Sequence, residues 1–192
     1  MSSKLLVTLV FLAVALTAIA AQDPNMNHFA KDGLSFDYPK GWTLADQSSQ
    51  QMQFLELSQG EVNIRIRSPR EYLKTPEKEA QAKKLFQDNY VNDFFNQVQQ
   101  AGMSPKRSVI TTQIGGSDAE GARVRAVLGG VSGGMDSYSR IVSDRLINLS
   151  IIGSEQDIAK IAAAWDLIRN SIKVEPPPAA KSPQKSAPTP KP

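Results

Sequence analysis

The chain has 192 residues, with 22 Lys and Arg, 19 Asp and Glu, and no cysteine. This length suits one domain with terminal segments, and the lack of cysteine excludes disulfides, thiol chemistry and Cys-based metal sites. The positive excess comes from the two ends, since equal numbers of acidic and basic residues remain between Lys4 and Val174. The charge therefore gives no indication of nucleic-acid binding.

The N-terminus has the pattern of an export signal. Lys4 precedes the apolar run 5–20, and Ala18-Ile19-Ala20 places small residues before the polar sequence AQDPN. We therefore expect residues 1–21 to be a secretory signal peptide, cleaved after Ala20 or Ala21. The alternative is a retained anchor, but 16 residues fall short of the ~20 that span a bilayer. A short leader, 22–27, follows.

The globular domain is predicted over residues 28–174 and begins with strands. Leu34, Phe36 and Tyr38 alternate with polar residues, which is typical of a half-buried strand. The segments QMQFLEL and EVNIRIR continue this pattern, and Gly60 between them predicts a hairpin.

A long helix is predicted next. Thr75 suits the N-cap and Pro76 the first helical position, and Gly102 ends the helix. An aromatic stripe runs along this helix, and such a stripe is more often core packing than a ligand site. Its members are Phe86, Tyr90, Phe94 and Val98, with Val91 and Phe95 beside them.

Three extended segments and a second helix complete the domain. The segments are 108–114, 121–128 and 137–152, the last folding at Ser143-Asp144 into two strands. The final helix begins at a Ser154 N-cap. Because the helices come in two blocks, the pattern favours an α+β fold with a mostly antiparallel sheet. Residues 175–192, rich in Pro, Lys and Ala, are predicted to be a disordered tail.

The motif GVSGG around Ser132 matches the nucleophile elbow G-x-S-x-G. That elbow needs a helix after the serine, and in that fold a histidine later in the chain. The following segment alternates like a strand, and the single histidine, His28, comes earlier. We interpret the glycines as a hairpin loop that needs positive φ. The residues indicate no catalytic, cofactor-binding or metal-ligating set.

Five arginines occupy the polar positions of predicted strands, and they form the candidate partner surface of this sequence. On neighbouring strands they would build a cationic face; the alternative is cross-strand pairing with Glu56, Glu61 and Asp144. The five are Arg65, Arg67, Arg123, Arg125 and Arg140.

Several segments of the chain resemble the PsbP-like superfamily, which includes the DcrB-like exported bacterial proteins. The resemblance lies in GLSFDYPKGW after an export signal, in the amphipathic helix in mid-chain, and in the closing segment IAKIAAAWDLIRNSIKV. It implies an antiparallel sheet between helices, an α/β/α sandwich, without a shared catalytic site. It also implies a non-enzymatic accessory or binding role.

Three hypotheses about function follow. The first is an exported, soluble accessory or adaptor protein, periplasmic or extracellular, that docks on an unknown envelope or secreted protein partner. It would need no cofactor, would not bind nucleic acid, and would not insert into the membrane after signal cleavage. The second is a small-molecule or lipid carrier with a pocket between helix and sheet, lined by Phe86, Tyr90, Phe94 and Phe95. The third is a hydrolase using Ser132. The oligomeric state stays open.

Overall fold

A computed structural model describes residues 25–177 of the chain. Its main element is a seven-stranded antiparallel sheet. The strands are β3 (Thr43–Asp46), β4 (Met52–Gln59), β5 (Val62–Pro69), β6 (Lys106–Ile114), β7 (Ser117–Leu128), β8 (Val131–Val142) and β9 (Arg145–Ser154). Their spatial order is β3-β4-β5-β9-β8-β7-β6, so a meander of the last four strands is joined to the first three through β5 and β9.

Tight turns set the register of the meander. Gly115-Gly116 joins β6 to β7, Gly129-Gly130 joins β7 to β8, and Ser143-Asp144 joins β8 to β9. All six turn residues have positive φ, as the two-residue turns that match strand twist require. The predicted fold at Ser143-Asp144 is confirmed. Only Gly129 and Gly130 form the second turn, whereas Ser132, Gly133 and Gly134 already belong to β8.

A second, three-stranded antiparallel sheet combines the two ends of the domain. It has the order β1 (Met26–Lys31), β2 (Leu34–Pro39) and β10 (Lys173–Val174). Its first strand begins two residues before the domain boundary expected from the sequence. The predicted signal peptide, 1–21, lies outside the described residues, as does the predicted tail beyond residue 177.

The helical segment that was predicted in mid-chain covers one face of the large sheet. This segment is α1 (Pro76–Lys83), a π-helical stretch (Lys84–Asp88) and α2 (Asn89–Gln100). The Thr75 hydroxyl accepts from the Lys78 amide, which confirms the predicted N-cap. The sequence pattern did not predict the π-helical stretch. The α2 helix packs its buried Val91 on Val124 of β7 and Met135 of β8.

The other face carries the main core. There α3 (Glu155–Lys160), α4 (Ala162–Ser171) and the three-stranded sheet pack on β4, β5, β8 and β9. The predicted closing helix is in fact two helices, because the helix is interrupted at Ile161. The Ser154 hydroxyl accepts from the Asp157 amide, as the predicted N-cap requires. The predicted α+β architecture, with an antiparallel sheet between helices, is confirmed.

Within residues 25–177, no helix has the length and hydrophobicity that crossing a membrane would require.

Candidate functional site

The register of the sheet decides where the five predicted arginines lie. Arg65 on β5 pairs with Ser150 on β9, which pairs with Ser137 on β8, which pairs with Ala122 on β7. Paired residues share a face, and neighbours along a strand lie on opposite faces. Arg65 and Arg67 therefore lie on the face that α2 covers, whereas Arg123, Arg125 and Arg140 lie on the opposite face.

Arg65 and Arg67 are packed beneath α2. Arg65 forms an ion pair with Glu56 of β4, with Nε 2.7 Å from Oε2, and it donates to the Tyr90 hydroxyl. The guanidinium of Arg67 lies 3.4 Å from the centre of the Tyr90 ring and donates to Asn148 Oδ1. Burial lowers the pKa of Arg67 to about 10, so the group stays charged at neutral pH.

The other three arginines are also engaged in contacts. Arg123 donates two hydrogen bonds, of 2.9 and 2.7 Å, to the buried carboxylate of Asp136. Arg125 binds the same carboxylate at 2.8 Å and Glu155 at 3.2 Å. The hydrogen bond to Asp136 raises the pKa of Arg123. Arg140 donates to the carbonyl oxygen of Ile114.

The five arginines thus do not form one continuous cationic face. β9 and β8 separate β5 from β7, and the cross-strand register puts the two pairs on opposite faces. Pairing with Glu56, the alternative in the sequence analysis, is present in the structure, while the pairing with Glu61 or Asp144 is not found in the described residues. Partner binding by these arginines stays a prediction.

A buried polar network lies under the π-helical stretch. Asn148 donates to Gln87 Oε1 and to the Ser137 hydroxyl, and this hydroxyl also donates to Gln87 Oε1. Gln87 also donates to the Ser137 carbonyl, so the network ties the π-helical stretch to the centre of the sheet. The sequence pattern did not predict this network. The one sign of it in the sequence is that polar residues lie between the apolar positions of β8 and β9.

An apolar groove opens between α2 and the end of the β7–β8 hairpin. It has a volume of about 470 Å³, and no ionisable side chain lines it. Its helix side consists of Phe94, Val98 and Met103, and its sheet side includes Val124 of β7 and Ile152 of β9. Grooves of about 300–1,000 Å³ are the size at which proteins bind small molecules or the side chains of a partner.

Three glycines make up the floor of the apolar groove. Gly133 and Gly134 of β8 lie beside Gly153 of β9. A Cβ atom at Gly134 would lie 2.0 Å from the carbonyl oxygen of Val124, so no other residue fits there without backbone movement. The glycine-rich sequence therefore has a second use besides the turn, because Gly134 allows the backbones of β7 and β8 to approach closely.

Large apolar side chains on the hairpin form an exposed rim to the apolar groove. Leu128 and Val131 line the groove and are 68% and 59% exposed, and Val127 is 61% exposed at the same tip. An exposed apolar cluster of this kind next to an apolar groove is the pattern of a binding site. The sequence signal was the pair of large apolar residues directly flanking Gly129-Gly130.

The aromatic lining expected for a carrier is present only in part. Phe94 lines the apolar groove, whereas Tyr90 stacks on Arg67 and Phe86 packs with Leu73 and Leu146. Phe95 packs with the small core cluster under α2. The stripe therefore serves mainly as core packing, as the sequence analysis favoured.

Ser132 lies in β8, opposite Val127, and a strand rather than a helix continues after it. The arrangement is not a nucleophile elbow. His28 lies in the three-stranded sheet, where its Nδ1 contacts Asp37 Oδ1 at 2.6 Å. In the described part of the chain, no group of three or more His, Asp or Glu side chains is placed to hold a metal ion.

Comparisons with known proteins extend the description of the fold. No protein-family model matches the chain, and no curated protein matches it. The solution structure of cyanobacterial PsbP (CyanoP) from Synechocystis sp. PCC 6803 is similar, with a TM-score of 0.50 and 13% identity. The match covers 81% of this chain and 96% of that one. The chain therefore has a PsbP-like fold, and at this identity the likeness concerns the fold alone.

Proposed function

We propose that this protein is an exported, non-enzymatic accessory protein that docks on a protein partner through the apolar groove and its rim. The observation that carries the proposal is the exposure of Leu128 and Val131 beside a groove without ionisable side chains. Burial of a large apolar side chain stabilises a complex by about 1.5–3 kcal/mol, so these positions are where binding energy is available.

The apolar lining of the groove determines the kind of partner surface that can bind there. A complementary surface must present one or two large apolar side chains, because an ionised group placed there would lose its hydration without gaining a partner. The export pattern of residues 1–21 supports an envelope or secreted protein as that partner. The PsbP-like fold is consistent with the accessory role that the sequence resemblance implies.

Site-specific photocrosslinking in the source organism tests this proposal. A photoreactive residue at Leu128 should give one discrete protein adduct. The same residue at Leu85, which is 57% exposed on the π-helical stretch and does not line the groove, is the matched control and should give none. Equal adducts at both positions, or none at Leu128, would contradict the proposal.

A double variant, Leu128→Asp with Val131→Asp, provides the quantitative readout. We expect this variant, without a photoreactive residue, to bind the partner identified by crosslinking at least ~10-fold more weakly, corresponding to about 1.4 kcal/mol. The thermal midpoint should change by less than about 2 °C, because both side chains are exposed in the free protein.

A second candidate function is transport of a small apolar ligand or lipid, and the volume of about 470 Å³ favours it. Native mass spectrometry of protein purified gently from its own host distinguishes the two functions. A bound small mass that is lost on denaturation would identify a carrier. A bare protein mass together with the Leu128 adduct would support the accessory role.

A further inference from the structure

In the part of the chain that the structure describes, strand β6 is an edge of the large sheet, and no strand pairs with its outer side. It is nine residues long and contains neither proline nor glycine. The opposite edge strand, β3, has only four residues. Natural proteins usually protect a long edge, because its free N–H and C=O groups pair readily with another strand.

The residues with outward backbone groups can be identified from two observations. The two-residue turn Gly115-Gly116 makes Ile114 a hydrogen-bonded partner of β7, so alternate residues along β6 also face β7. The remaining residues face outward. In agreement, the outward carbonyl of Gln113 accepts from Arg169 over 3.0 Å, and the Gly115 amide donates to the Arg169 carbonyl.

Three residues are left with free outward groups: Arg107, Val109 and Thr111. Between residues 25 and 177, no hydrogen bond reaches the outward N–H or C=O of Val109 or Thr111. The Val109 side chain is 84% exposed, the highest value among the exposed large hydrophobic residues. The Arg107 side chain is held away from the edge by a 2.7 Å hydrogen bond to Asn92 of α2.

We propose that the β6 edge pairs antiparallel with β6 of a second copy of this chain, with the two-fold axis at Val109. The three residues with free groups are spaced symmetrically about Val109. A two-fold axis there places Val109 opposite Val109 and Arg107 opposite Thr111 of the second copy. Every outward N–H and C=O of the three residues then has a partner, which gives six backbone hydrogen bonds.

The charges on β6 favour this register. Lys106 and Arg107 are both at the start of the strand, and the rest of β6 is uncharged. In the antiparallel pair the two Arg107 residues are four positions apart, or about 14 Å, so they do not repel strongly. A parallel pair would place the same cations side by side. The proposal is independent of the apolar groove, since no residue of β6 lines it.

The expected dimer is reversible. Six hydrogen bonds and one valine pair bury less surface than the roughly 1,200–2,000 Å² of a stable interface. A dissociation constant on the order of 100 µM is therefore expected. The dimer fraction should rise with protein concentration by mass action.

Sedimentation velocity of the mature protein from about 5 µM to about 1 mM tests the proposal. Thr111→Pro removes an outward N–H without touching the ladder to β7, because edge strands tolerate proline at such positions. We expect this variant and Val109→Lys each to weaken the dimer at least ~10-fold. Thr111→Ala keeps the N–H and should dimerise like the parent protein.

Amide hydrogen exchange measured at low and high concentration provides a second readout. Exchange of the Val109 and Thr111 amides should slow at least ~10-fold in the dimer. A monomer at every concentration would overturn the proposal, as would a dimer that neither variant weakens. Protection of these amides only in the presence of a different protein would overturn self-pairing and indicate strand addition by that partner.

Discussion

The guanidinium of Arg145 donates to the backbone carbonyl of Asp32 over 2.9 Å, and this bond joins the two sheets. Arg145 is 2% exposed, and it also donates to Gln53, Ser68 and the carbonyl of Pro69. Its hydrogen-bond partners are neutral acceptors, so within the described residues the buried charge is held by hydrogen bonds rather than by a direct ion pair. Burial accordingly lowers the pKa of Arg145.

Replacing this arginine should be costly. Arg145→Leu leaves four acceptors without a donor, and we expect the free energy of unfolding to fall by about 3–5 kcal/mol. Urea denaturation measures the change. Arg70→Ala, which removes a partly exposed ion pair with Asp32, is the matched control and should cost about 1 kcal/mol. Equal losses in the two variants would show that the buried hydrogen bonds of Arg145 contribute no more stability than a partly exposed ion pair.

Two serines that pair across β8 and β9 should respond in opposite directions. The Ser150 hydroxyl is buried and has no hydrogen-bond partner in the described structure, so Ser150→Ala should raise the free energy of unfolding by about 0.5–2 kcal/mol. Ser137 bonds Gln87 and Asn148, so Ser137→Ala should lower it by about 1–2 kcal/mol. Chemical denaturation of both variants checks the signs. A loss of stability in Ser150→Ala would indicate a partner for that hydroxyl.

The ion pair of Lys31 and Asp46 should make stability depend on acid pH. The hydrogen bond from Lys31 lowers the pKa of Asp46 from 3.8 to about 2. A lowered pKa in the folded state contributes stability above the unfolded value, and this contribution disappears as the pH falls from about 4 to about 2. Asp46→Asn should therefore lower the thermal midpoint by about 1–4 °C at pH 6, and by only a small part of that at pH 2.

Thermal unfolding across this pH range provides the measurement. Asp118→Asn, which alters an exposed carboxylate 3.5 Å from the Gln113 amide, is the control. If both variants lose the same amount at every pH, the link between Lys31 and Asp46 contributes no specific stability.

Gly134 should tolerate no side chain. In Gly134→Ala the new methyl group would meet the Val124 carbonyl, so β7 and β8 must separate, and a loss of about 2–4 kcal/mol is expected. Gly41→Ala has open space and bears only the strain of a positive φ, which costs about 1 kcal/mol. Calorimetry of both variants separates the two effects. A Gly134→Ala loss no larger than the Gly41→Ala loss would mean that the strands accommodate the methyl group.

The sequence predicted the features that depend on residues close together in the chain, namely strands and helix starts. Alternation identified β2 and β5, and side-chain capping placed the helix starts after Thr75 and Ser154. Long-range register could not be predicted in this way. Arg65 and Arg123 are on different faces because β5 pairs with β9, more than 80 residues later in the chain.

The apolar groove was also beyond sequence patterns. It exists because Val124, Gly133 and Ile152, which lie on three different strands, share the face of the sheet next to the end of α2. Glycines near Ser132 predicted a loop, and half of that interpretation was wrong because two of them lie within β8. The π-helical stretch has no hydrophobic periodicity of its own in the sequence. Its attachment to the sheet is recognised only from the buried position of Gln87 in the structure.

The small sheet has a consequence for biosynthesis. Strand β2 pairs with β10, whose residues 173–174 follow β2 by more than 130 positions in the chain. Until residues 173–174 have been synthesised and are free to pair, Leu34 and Ser35 lack their partners from β10, and that edge of the small sheet is unfinished. A truncated translation product that lacks β10 would keep an open edge on which proteases and chaperones can act.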